Sequence, residues 1–209
     1  MVEIGKWNNL IVLKELDFGV YLDGGDDVEI LMPKRYVPEG TKPGDKVDVF
    51  IYLDSEDRLI ATNEKPFAQV GDFALLKVIS VSGIGAFMDW GLMKDLFVPF
   101  REQRQKMEEG YSYVVYIYVD ELTNRIVGSA KVEDFLDKIP PAFIEGQEVD
   151  LVIYNRTDIG YKAIINNTHT GVIYFADVFR EVKRGEKTKG YIRKIVLKKK
   201  MIHSHVSDY

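Results

Sequence analysis

The chain has 209 residues, no cysteine, 46% hydrophobic residues and a formal net charge of −5. Disulfide frameworks, cysteine-bound zinc and thiol catalysis are thereby excluded, and no apolar run approaches the roughly 18 residues of a membrane helix. Residues 1–7 show neither the basic nor the apolar segment of a secretory leader, so a cytoplasmic protein is expected.

In chain order, the first predicted elements are strands. Leu10–Leu13, Phe18–Leu22, Glu29–Met32, Val47–Leu53 and Leu59–Thr62 are short β-branched or aromatic runs bounded by Gly, Pro and Asp. A linker containing Pro66 follows at Asn63–Gln69. The pattern then returns as Phe73–Val81, Gly85–Asp89, Asp95–Val98, Tyr113–Val119 and Ile126–Ala130, with a polar insertion at Phe100–Gly110. Val132–Ile139 reads as a short linking helix stopped by Pro140 and Pro141. Beyond residue 140 the same punctuation appears once more, in weaker form.

The recurrence is an internal repeat. A shift of 66 residues carries Gly5 onto Gly71, Trp7 onto Phe73, Gly19 onto Gly85, Tyr21 onto Phe87, Pro33 onto Pro99 and Gly44 onto Gly110. A further shift of 75 carries Gly71 onto Gly146, Gly85 onto Gly160, Phe100 onto Phe175 and Gly110 onto Gly185. Three units follow: residues 1–65, 66–139 (the second barrel plus its linker helix) and 140–209, the third degenerate or truncated. Their charge balances are −6, −3 and +4, so the last unit differs in sign from the other two.

Five short strands with an insertion between the third and fourth predict an all-β protein of tandem five-stranded OB-fold barrels joined by short helices. A β-sandwich or a row of SH3-like barrels would use similar strands. The insertion and the glycine that opens the second hairpin favour the OB barrel.

Two segments carry a resemblance. Phe18-Gly19-Val20-Tyr21-Leu22 and Ile84-Gly85-Ala86-Phe87-Met88, the latter followed by Asp95-Leu96-Phe97-Val98-Pro99, are similar to the corner motif of S1 domains. Ile159-Gly160-Tyr161-Lys162-Ala163 is a degenerate third copy. The ordered set, with Asp89-Trp90-Gly91-Leu92 and Lys94–Gln103, resembles the conserved virulence factor B-like family of bacterial regulators over residues 1 to about 195. The resemblance implies tandem S1-like OB domains, RNA binding, a role in post-transcriptional or translational regulation, and a winged helix after the third copy. Two features depart from the pattern: the histidine usual on the third strand is absent, with Pro33 or Pro99 nearby, and Leu197–Tyr209 does not read as a closing strand.

Binding chemistry would rest on aromatic rings for base stacking and cations for phosphate. The candidates in the first unit are Phe18, Tyr21, Lys34 and Arg35, with a bend or bulge at Gly19 letting the two rings converge. In the second they are Lys77, Phe87, Trp90 and Arg101, with Lys14 and Lys94 as further nearby cations. Aromatic residues in small barrels are commonly core, and Trp7 and Phe97 are assigned there. The third unit offers Lys189, Tyr191, Arg193 and Lys194 within a basic stretch that includes Lys198–Lys200. Phosphate contacts are accordingly expected to concentrate beyond residue 140.

Enzymatic readings find little support. The three histidines, His169, His203 and His205, lie outside the two best-formed units. Gly83-Ile84-Gly85 lacks the third glycine of a dinucleotide site, and Arg184–Thr188 lacks the upstream glycine of a phosphate loop. The expectation is a non-catalytic protein with no cofactor, no metal, no membrane and no small-molecule substrate. Its partner would be single-stranded RNA, or DNA as an alternative, and a protein-interaction scaffold is the rival reading.

Overall fold

The computed structural model describes residues 2–139, 141–196 and 201–206, with Val196 and the last group described by backbone alone. Fifteen strands form three closed barrels among these residues. Barrel 1 comprises β1 (Trp7–Leu16), β2 (Gly19–Asp23), β3 (Glu29–Pro33), β4 (Lys46–Leu53) and β5 (Leu59–Thr62). Barrel 2 comprises β6 (Phe73–Val81), β7 (Gly85–Asp89), β8 (Leu96–Pro99), β9 (Ser112–Val119) and β10 (Ile126–Ser129). Barrel 3 comprises β11 (Glu148–Arg156), β12 (Gly160–Ile165), β13 (His169–Tyr174), β14 (Lys187–Val196) and β15 (Met201–Val206).

In barrel 1 the sheet runs β1-β2-β3-β5-β4 and closes by pairing β4 with β1. The contact between the third and last strands is parallel, as in Leu31 opposite Ile60 and Phe97 opposite Val127. This is the OB arrangement in all three units. Short 3-10 turns, Lys34–Tyr36, Phe100–Glu102 and Phe175–Asp177, follow the third strand of each barrel. The linker helix expected at Val132–Ile139 is a single 3-10 turn, Val132–Phe135.

Alternation along the strands fills each interior. Val20, Leu22, Ile30, Met32, Val49 and Ile51 form the first core. Their counterparts Ala86, Met88, Leu96, Val98, Val115 and Ile117 form the second. The third is built on Leu151, Ile153, Ala163, Ile165, Ile173 and Ile192.

The repeated glycine at the start of the second strand has a steric cause. A Cβ on Gly19, Gly85 or Gly160 would lie 2.1–2.4 Å from a carbonyl oxygen of the facing third strand. No bulge lies at this glycine. The bulge is in the first strand of each barrel, between Val12 and Lys14, Val78 and Ser80, and Ile153 and Asn155.

The third barrel corrects the expectation for its final strand. Met201–Val206 pairs antiparallel with β14 and parallel with β13, completing the fifth position. His203, Ser204 and His205 interrupt the apolar pattern by which strands are recognised, whereas ladder pairing needs only backbone N–H and C=O groups. The Lys198–Lys200 run and the side chains of His203 and His205 lie outside the described residues.

The barrels meet through equivalent faces. Trp7 and Phe50 are cross-strand neighbours on the outside of barrel 1, and Phe50 packs edge-on against Trp90 of barrel 2. Phe73 and Tyr116 hold the same register on barrel 2 and, with Val132 and Leu136 of the linker, cover Val152, Tyr154 and Ile164 of barrel 3. Trp7, assigned to the core by its sequence, is therefore a half-open junction residue, 40% exposed.

Candidate nucleic-acid interface

OB barrels bind oligonucleotides on the outer face of their second and third strands and on the adjoining loops. In barrel 2 that face carries Phe87 and Phe97, directly opposite each other on β7 and β8. Their ring centroids lie 5.1 Å apart at an interplanar angle of 35°. Ala86, Met88, Leu96 and Val98 point inward, so alternation drives both phenylalanines outward. Phe97 is thus a partly exposed face residue and not core.

These rings line a cleft of about 410 Å³. Its far wall is the β4–β5 loop of barrel 1, which contributes Ser55 and Asp57; Arg125 and Ile126 come from barrel 2, and Lys94 and Asp95 from the loop before β8. The Asp57 carboxylate accepts from Lys94 Nζ at 3.3 Å and is ion-paired to Arg125. Lys94 Nζ also donates to the Asp54 carbonyl, 2.6 Å away. Hydrogen bonding from Arg125 and the nearby Lys94 charge hold the Asp57 carboxyl below its ordinary range.

The cleft wall is rigidly built. Asp54 accepts backbone N–H bonds from Glu56 and Arg58 and a side-chain bond from Arg58, which fixes the β4–β5 loop. A loop of barrel 1 therefore forms part of the cleft on barrel 2.

Barrel 1 presents a smaller counterpart. Phe18, 55% exposed, and the half-buried Tyr21 meet edge-to-face with centroids 6.3 Å apart. Lys14 sits over the Tyr21 ring at 4.7 Å while paired with Glu29. Lys34 and Arg35 are exposed on the following 3-10 turn, where Arg35 covers the Tyr36 ring and reaches Met93 of barrel 2.

Other predicted residues fall elsewhere. Trp90 is 3% exposed, wedged against Phe50, with its indole N–H donating to the Lys94 carbonyl at 2.6 Å. Its ring faces are consumed by the barrel 1–barrel 2 junction, so it is a wall residue and not an open stacking platform. Lys77 is exposed on β6, opposite Asp89. Arg101 pairs with Asp120 at 2.6 Å.

The basic third unit is not gathered with the aromatic face. Lys189 pairs with Asp150 at 2.7 Å and Glu148 at 3.6 Å, Arg193 pairs with Asp177, and the Tyr191 hydroxyl donates to Glu148. Lys194 is exposed on β14. The outer β12 positions of barrel 3 are covered by barrel 2: Ile164 is fully buried, and Lys162 binds Glu133 of the linker at 2.7 Å. Lys189 and Arg193 are thereby each held against a carboxylate of their own unit.

The residues missed by sequence reasoning are Phe97, Arg125 and Asp95. The period-two pattern of Leu96-Phe97-Val98 carries the signal for Phe97 once Leu96 and Val98 are taken as inward. Arg125 has no local signal, because its role depends on a loop of the neighbouring barrel. Among the described residues no group of three or more His, Asp or Glu side chains is placed to hold a metal ion, and no helix is long and apolar enough to cross a membrane.

Comparison with known proteins agrees with this architecture. Residues 4–64 match the family model described as S1 domain. A 95-residue segment is 35% identical to the uncharacterized protein YitL of Bacillus subtilis (strain 168), covering 45% of this chain and 32% of that protein. The chain thus matches about a third of the length of that relative. A crystal structure from Streptococcus pneumoniae TIGR4, described as a multidomain protein with nucleic acid binding domains, superposes with a TM-score of 0.54 at 17% identity. That superposition covers 98% of this chain and 74% of the other. Barrel 1 thus matches the S1 domain model, and the chain is a tandem array of OB barrels.

Proposed function

We propose that the chain binds single-stranded nucleic acid, RNA foremost, in the cleft between barrels 1 and 2. The observation that carries this reading is the outward Phe87–Phe97 pair set beside Arg125 and Lys94 on the strand face that OB barrels use for oligonucleotides. Exposed rings give sequence-tolerant stacking, and the flanking cations meet phosphate. The Phe18–Tyr21 pair with Lys34 and Arg35 extends the path along barrel 1.

The similar pneumococcal protein is described as having nucleic acid binding domains, which supports the reading at the level of ligand class. A non-catalytic regulatory role at the level of RNA follows from the resemblance to virulence factor B-like proteins. Phosphate engagement by Lys189, Arg193 and Lys194 is secondary in this scheme, since none of the three lines the cleft that holds Phe87 and Phe97.

The test is a fluorescence anisotropy titration of labelled single-stranded RNA and DNA oligonucleotides at two salt concentrations. Binding that weakens with salt is expected, because each neutralised phosphate releases counterions. An absence of binding at low salt would leave a protein-interaction scaffold as the better description.

A further inference from the structure

One carboxylate in the cleft is out of keeping with a surface built only for stacking and phosphate. Asp95 lines it beside Phe87 and Phe97. Among the described residues its side chain has no hydrogen-bond or ion-pair partner, and burial, then the neighbouring Asp89 charge, pushes its carboxyl above the ordinary range.

The other repeats make the contrast clear. The equivalent position in barrel 1 is Glu29, which is ion-paired to Lys14. In barrel 3 it is Thr170, whose hydroxyl lies 3.0 Å from the Tyr154 hydroxyl. In barrel 2 alone of the three this position holds an unengaged acceptor, and it opens onto the aromatic pair.

Asp95 is also held firmly in place. The preceding carbonyl, that of Lys94, accepts the Trp90 indole N–H at 2.6 Å, and Asp89 caps the Gly91 N–H at 2.9 Å. Leu96, which follows, is anchored in the barrel 2 core. A fixed carboxylate that lacks a donor favours a ligand that brings donors to it, and phosphate brings none.

We propose that Asp95 is a specificity-determining residue that accepts hydrogen bonds from the donor edge of a base seated against Phe87 and Phe97, with guanine preferred. Guanine presents two adjacent donors, N1–H and the N2 amine, which both oxygens of one carboxylate can accept together. Adenine and cytosine offer a single exocyclic amine on the corresponding edge, and uracil a single ring N–H. This proposal rests on the nucleic-acid reading above.

The experiment titrates the full chain against labelled uridine tracts carrying one central guanine, inosine or adenine. Tighter binding of the guanine tract than the adenine tract by about tenfold is expected, the size of a good bidentate base contact. Inosine, which keeps N1–H and lacks the amine, should fall between them; this arm needs no substitution and is independent of variant folding. Asp95→Asn should abolish the guanine preference, and the gain from removing a negative charge beside the cleft should be shared by all three tracts. Equal affinity of the unaltered chain for all three tracts would overturn the proposal and leave the stacking cleft standing, as would a guanine preference that survives Asp95→Asn. Failure to bind any tract would overturn the nucleic-acid reading itself.

Discussion

Phe87 and Met88 are adjacent in the chain and face opposite sides of one strand, so substituting them should have opposite consequences. Met88 is completely buried, and Met88→Ala should cost about 2–5 kcal/mol of stability, read from chemical denaturation. Phe87→Ala removes an outward ring, so it should lower affinity for single-stranded RNA by about 1–3 kcal/mol with a small change in melting temperature. A large stability loss with unchanged binding would place Phe87 in the structural core. Trp90 and Phe97 show where residue-level reading fails. Phe97 was legible from strand parity, since Leu96 and Val98 fill the barrel. The place of Trp90 was not, because it lies beyond the end of β7 and its burial depends on Phe50, forty positions away in another barrel.

At the scale of elements, the strands were the most legible feature, because alternation and turn residues are local properties. The Phe73–Val81 and Gly85–Asp89 strands coincide with their predicted limits. The junctions were not legible, although the repeat register contains them: Trp7–Phe50 and Phe73–Tyr116 are equivalent pairs whose function appears only when barrels are stacked. The second junction makes a pH prediction. Glu133 receives hydrogen bonds from Lys162, Arg104 and the Tyr154 hydroxyl, and Lys162 foremost lowers its carboxyl from 4.5 to about 2. A depressed carboxylate stabilises the folded state above its unfolded value, and that contribution fades as pH falls between about 4.5 and 2. Glu133→Gln should therefore lower the melting temperature at pH 7, and the difference from the unaltered chain should shrink across that acidic interval. A constant difference down to pH 2 would show that Glu133 acts through packing instead. The first junction carries a counterpart in Asp57, which neutralises Arg125 and Lys94 beside the cleft. Asp57→Asn frees both cations and should raise RNA affinity in an anisotropy titration at low salt, where electrostatic contacts are strongest.

At the scale of the whole molecule, the charge gradient of −6, −3 and +4 and the aromatic cleft point to different places for a partner. A net balance does not report where cations and rings are gathered. Folding sets Lys189, Arg193 and Lys162 against carboxylates, as it does Arg125, but of these only Arg125 lies in a cleft with Phe87 and Phe97, in a unit whose net charge is negative. The junction also closes the outer β12 positions of barrel 3, where barrels 1 and 2 carry Tyr21 and Phe87. The central claim is thus one of location: the nucleic acid lies between the first two barrels and not on the basic third. Ultraviolet cross-linking of bound single-stranded RNA, with the adducts mapped by mass spectrometry, tests it most directly. Adducts within residues 84–97 and on the β4–β5 loop are the predicted result, and adducts confined to the 180–196 segment would contradict the account.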